Sequence, residues 1–127
     1  MTPKSRWIVV LAAALAACST LYLDTADLLR DANKQNLKKL SVGMDQSTAI
    51  EIMGTEPSKG IFMWIDNPYR RETVTGKDGR QYEVLYYYTD MKQRDDKITD
   101  DELTPVVFAD GKLVGFGDEA LHKHLGK

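Results

Sequence analysis

From Pro57 onward the sequence offers strand-like segments joined by tight turns, with no helical segment between them to carry a crossover. "YRRETV" and "QYEVLYYYT" flank the glycine-containing "TGKDGR", and "TPVVFADGKLVGFG" turns back at Asp110-Gly111, a strong two-residue hairpin signal. Strands joined this way pair antiparallel, because a parallel pair needs a connection of about a dozen residues or more. The second half of the chain is thereby limited to an antiparallel sheet. In "QYEVLYYYT", Tyr82, Val84, Tyr86 and Tyr88 share one face, while Glu83, Leu85 and Tyr87 share the other. One face is expected to pack on helices and the other to meet water or a partner.

The helices must come from the first half. Leu28, Leu29, Ala32, Leu37 and Leu40 recur near helical spacing, interrupted by Asn33 and Asn36. A helix is expected from an N-cap at Asp24 to an end near Asn36. "VGMDQSTAIEIMGTEPS" predicts a second, short helix. Asp45 is its N-cap, Ala49, Ile50 and Met53 are its apolar face, Gly54 is a left-handed C-cap, and Pro57 prevents continuation. The expected class is α+β, with two N-terminal helices packed on one face of a three- to four-stranded antiparallel sheet. "MKQRDDKITDDE" reads as a solvated charged loop, and "DEALHKHLGK" as a tail with room for one helical turn.

Ahead of this domain stands a processing segment. "MTPKSRW" carries Lys4 and Arg6 and no acid, and "WIVVLAAALAA" follows with 11 apolar residues. A bilayer-spanning helix needs about 20. "Leu15-Ala16-Ala17-Cys18" then resembles a bacterial lipobox and holds the only cysteine of the chain. The resemblance implies cleavage between Ala17 and Cys18, a diacylglyceryl group on the Cys18 sulfur, and acylation of the new amine. The chain then divides into a signal peptide (1–17), a lipidated tether (18–24) and a single α+β domain (25–127). Removal of Lys4 and Arg6 takes the formal net charge from −2 to −4, so acyl chains rather than basic residues must hold the membrane. Ser19 in place of an aspartate favours, by analogy with lipoprotein sorting, the outer membrane over the inner one.

Further residues carry a second resemblance. "LKKLSVGMDQSTAIEIMGTEP", followed by strands ending in "PVVFADGKLVGFG" on a short lipobox-bearing chain, resembles the SmpA/OmlA (BamE-like) group of small Gram-negative outer-membrane lipoproteins. Gly43-Met44, Asp45, the short helix, Gly54 and Pro57 match its pattern. The resemblance implies two helices against a three-stranded antiparallel sheet and a place in outer-membrane assembly or maintenance. "Gly-Thr-Glu-Pro" is one residue longer than the group's usual form, and the acidic stretch at 90–102 and the tyrosine strand are additional. These differences point to a branch other than BamE itself.

Other chemistries find little support. A pI near 5.7 is not the footprint of a nucleic-acid partner. Ser41, Ser47 and Ser58 lack a G-x-S-x-G setting, and no carboxylates are paired by sequence, so no catalytic residue is assigned. His122 and His124 lack a third ligand nearby, and "RDDKITDDE" lacks the spacing of a calcium loop, so neither a metal nor a cofactor is implied. In "FMWIDNPY", Trp64 and Tyr69 either complete the core or form an interface to a protein or lipid partner. The expected function is a non-enzymatic outer-membrane lipoprotein. Its partners are the membrane, through the Cys18 anchor, and an unidentified envelope protein. The alternative is a ligand-binding or enzyme-inhibitor module facing the periplasm.

Overall fold

The computed structural model describes residues 25–59, 63–93, 95 and 97–127. Ala17, Cys18, the tether, the Asp24 cap and Phe62 lie outside the described residues. Helices α1 (Thr25–Leu37) and α2 (Gln46–Met53) come first. A small hairpin follows, β1 (Ser58–Lys59) with β2 (Trp64–Ile65). Then come β3 (Arg70–Thr75), β4 (Gln81–Tyr88), a 3-10 turn (Asp100–Glu102), β5 (Leu103–Ala109), β6 (Lys112–Phe116) and helix α3 (Asp118–Leu125). The fold is α+β.

The main sheet has the order β3-β4-β5-β6 with every neighbouring pair antiparallel. The β5–β6 turn places Asp110 at φ 52° and Gly111 at φ 74°, the positive values a two-residue hairpin of this twist requires. The edge of β6 is covered by the segment before α2. Gly43 N donates to the Leu113 carbonyl (2.8 Å), and Leu113 N donates to that of Met44 (2.9 Å). At the opposite edge β3 exposes Arg71, Thr73 and Thr75, polar groups that discourage further strand pairing.

Both faces of the central strands are buried. On one face Leu85, Tyr87, Val106, Phe108 and Leu113 pack with Leu37, Leu40, Ala49 and Met53. On the other, Tyr82, Val84, Tyr86, Tyr88 and Val107 pack with Ile65, Ala120 and Leu125. β4 therefore has no bare face, contrary to the expectation from its alternation. The reason is the C-terminal segment, which forms a helix of 8 residues where one turn was expected, and lays Ala120 and Leu125 on the sheet. Gly115 permits the close approach: a Cβ there would stand 3.1 Å from that of Ala120.

The apolar stripe expected on α1 is also corrected. Leu28 and Ala32 are exposed, and the buried residues are Arg30, Asn33 and Leu37. Arg30 and Asn33 meet the polar end of β4, while Leu37 joins one apolar cluster and Leu29 packs against the other. Arg30 Nη1 donates to the Tyr88 hydroxyl (2.9 Å). Asn33 Nδ2 donates to the Tyr88 carbonyl (2.8 Å) and to Asn67 Oδ1 (3.0 Å). Asn67 Nδ2 in turn donates to the carbonyls of Met53 (3.1 Å) and Gly54 (2.9 Å). Two buried amides thus join α1, the end of α2 and β4.

Two further local expectations change. Gly54 ends α2 at φ 81° and ψ 154°, so the chain leaves extended rather than through a left-handed cap. Asp45 holds the N-cap position without a side-chain cap bond, its carboxylate pairing instead with Lys112 of β6. The acidic stretch is not wholly solvated either. Glu102 is buried, with its carboxylate accepting from Lys92 N (2.9 Å) and Thr99 N (2.9 Å). The satisfied backbone donors offset its desolvation.

Candidate functional site

The small hairpin sorts its four ladder residues by alternation. Ser58 and Ile65 face inward, whereas Lys59 and Trp64, directly opposite each other, face outward. Trp64 is 56% exposed. Lys59 Nζ lies 5.2 Å from the indole centroid, a cation–π distance, and the indole Nε1 donates to Asp66 Oδ1 (2.6 Å). The ring is held by its neighbours and presented to solvent.

Tyr69 does not join it. This side chain is half-buried against the core cluster that contains Tyr86, and its backbone N donates to the Tyr86 carbonyl (2.7 Å). Of the two aromatic residues singled out by sequence, Trp64 is displayed and Tyr69 packs at the margin of the core. Cys18 and Ala17 lie outside the described residues.

A second surface feature was not legible in the sequence. A shallow groove of about 560 Å³ runs between the C-terminal half of α1 and the ends of β4 and β6. Leu37 and Phe116 give it apolar walls, Lys34 of α1 and Lys38 just beyond it line one side, and Thr89 and Asp90 line the far side. Phe116 is 42% exposed. The Lys92 ammonium, with the Met91 N–H, holds the Asp90 carboxyl below the usual carboxylate range, and Lys34 adds to the effect. The groove thus combines apolar walls with charges of both signs. That combination suits an apolar side chain of a partner flanked by polar residues. Phe116 escapes a sequence reading because the ladder shifts register between Val107 and Phe108, which breaks the two-residue alternation along β6.

The histidines do not form a site. His122 is exposed on α3, and the His124 ring lies 5.6 Å from that of Tyr82 at a tilt of 37°. Residues two apart on a helix point in different directions, so the pair does not converge. Among the described residues no group of three or more His, Cys, Asp or Glu side chains is placed to hold a metal ion.

A protein-family model described as "Protein of unknown function (DUF3192)" matches residues 24–123. The chain belongs to the DUF3192 family. The match takes in every strand of the main sheet, the small hairpin and the groove, so both surface features lie within the DUF3192 domain. No curated protein and no solved structure matches the chain.

Proposed function

We propose that this DUF3192 protein is a non-enzymatic, lipid-anchored envelope module. It is held in the outer membrane through Cys18 and binds a second envelope protein in outer-membrane assembly or maintenance. The observation that carries the reading is the lipobox, Leu15-Ala16-Ala17-Cys18, directly after a basic segment and an apolar run. Only six residues then stand between Cys18 and the first residue of α1, a reach of at most about 25 Å. No helix among the described residues is long and apolar enough to cross a membrane. The resemblance of the helix-entry and hairpin motifs to the SmpA/OmlA group points the same way.

The groove supports the interaction half of the reading. An exposed phenylalanine beside Leu37, rimmed by Lys34, Lys38 and Asp90, has the apolar-centre and polar-rim arrangement of a small protein contact. A photo-crosslinking amino acid at Phe116 in intact cells tests it, with the same group at exposed Val42, outside the groove, as the control. The expected result is a discrete crosslinked envelope protein from position 116 and none from position 42. Enrichment of barrel-assembly components would favour a role in outer-membrane assembly. Capture of a soluble periplasmic enzyme would favour the inhibitor alternative.

A further inference from the structure

The hairpin that displays Trp64 is tied to α1, the first helix after the tether. β1 packs against α1, and Asn67, two residues beyond β2, is hydrogen-bonded to Asn33. Asn33 is eight residues, about 12 Å of helix, from Thr25, where the tether enters. A tether of seven residues keeps this end of the domain within a few tens of ångströms of the anchored acyl chains.

We propose that Trp64 and Lys59 form a second foot on the membrane, with the indole ring seated in the phospholipid headgroup layer of the leaflet that holds Cys18. The inference rests on the lipid-anchor reading and goes beyond it by assigning the exposed face of the β1–β2 hairpin. Tryptophan suits this place because its ring is amphipathic, apolar over most of its surface with one N–H donor, and such rings collect at headgroup depth. Lys59, stacked on that ring, brings an ammonium to the level of the lipid phosphates. Asp66 accepts the indole N–H in the free protein, and a phosphate or carbonyl oxygen of the lipid offers the same acceptor on docking. Asp66 offsets the charge of Lys59, so the foot needs no strongly anionic surface. Nearer the tether, Asp27 is neutralised by its ion pair with Arg30. A single aromatic residue binds weakly by itself. The anchor makes the second contact intramolecular, so a weak contact suffices to orient the domain.

The chain has two tryptophans, and Trp7 precedes Cys18, so Trp64 is the only one left after cleavage there. Its fluorescence reports on this site alone. The test uses the mature lipoprotein, its acyl mass first checked, reconstituted into phosphatidylethanolamine–phosphatidylglycerol vesicles with or without brominated acyl chains. The expected result is a blue-shifted emission, quenched by shallow bromines at least about twofold more than by deep ones, as headgroup-level seating requires. Aqueous iodide should quench it weakly, and Lys59→Glu should reduce bromine quenching while leaving the circular dichroism spectrum unchanged. Lipidated protein whose Trp64 is quenched by iodide and untouched by bromine would overturn the foot and leave the anchor standing. Shielding from both quenchers would assign the hairpin to contact between copies of this chain and overturn the foot as well. Absence of acyl mass would overturn the anchor, and the foot with it.

Discussion

The Arg70 guanidinium lies 3.7 Å from the centroid of the Tyr86 ring, on the face of β4 that α3 helps to cover. The Tyr86 hydroxyl donates to Glu72, and Arg70 reaches on to Asp100 (3.0 Å). Lys127 closes the cluster from the C-terminus, its Nζ donating to Glu72 Oε1 (3.1 Å). The same pattern recurs along the strand, with Arg30 near Tyr88 and Arg80 near Tyr82. Each of these three tyrosines thereby packs against an arginine; Arg70 and Arg80 keep their charge near water, whereas Arg30 is buried and paired with Asp27.

Alkaline pH should therefore weaken the fold over a defined range. Burial, and then the hydrogen bond to Glu72, push the Tyr86 hydroxyl up to about 12, and burial pushes Tyr87 up to about 12. In the unfolded chain both ionise near 10, so the stability they contribute is complete below pH 10 and is lost as pH rises toward 12. Tyrosinate absorbance followed with circular dichroism checks this, and Tyr86→Phe should reduce the alkaline loss. Two tyrosines titrating near 10 with no change in stability would contradict it.

The acid side depends on the same cluster with the opposite sign. The hydrogen bond from Tyr86, and then that from Lys127, hold the Glu72 carboxyl below its ordinary value of 4.5. Its contribution is complete above that value and is lost as pH falls through the lower folded value. Glu72→Gln should flatten the acid limb of a denaturation-midpoint curve. An acid limb parallel to that of the wild type would show that Glu72 is not coupled to folding.

Glu102→Ala should be among the more damaging single changes in the acidic stretch. It removes the acceptor for two backbone donors, Lys92 N and Thr99 N, in a nearly solvent-free position. The expected loss is about 3 kcal/mol in urea denaturation, whereas exposed Asp101→Ala should change stability by about 0.5 kcal/mol or less. Equal effects at the two positions would contradict the buried role of Glu102.

Gly76→Ala tests the packing of the β3–β4 turn against the C-terminal helix. A Cβ at Gly76 would overlap the Tyr82 ring and stand 2.8 Å from the His124 carbonyl oxygen. The backbone oxygen cannot swing away as a side chain can, so a loss of about 1–3 kcal/mol is expected in the denaturation midpoint. An unchanged midpoint would mean that the turn and α3 separate freely.

What the sequence made legible was local. Asp110-Gly111 fixes its hairpin because few residues tolerate two successive positive φ values, and α2 stops where the sequence places Gly54, with Pro57 just beyond to bar its resumption. What it concealed was decided by distant partners. Asn33 looks like a break in an apolar stripe and is a fully buried tie, because its partners, Asn67 and the Tyr88 carbonyl, lie 34 and 55 residues away. Ala120 and Leu125 read as a short tail until the face of Val107 and Val84 is set beneath them. The groove was hidden for the same reason, since Leu37 and Phe116 meet only after the sheet has formed and its register has shifted. Trp64 and Tyr69, alike in composition, differ because two-residue alternation in the hairpin turns one outward while the other follows the core.

Lipidation of Cys18 is the claim on which the functional account depends, and intact mass spectrometry of the membrane-extracted protein addresses it most directly. The account predicts a chain that begins at Cys18 and carries the mass of a diacylglyceryl group with an N-acyl chain, and a Cys18→Ser protein that retains residues 1–17 and gains no acyl mass. A wild-type protein recovered in the soluble fraction with a free Cys18 thiol would contradict it.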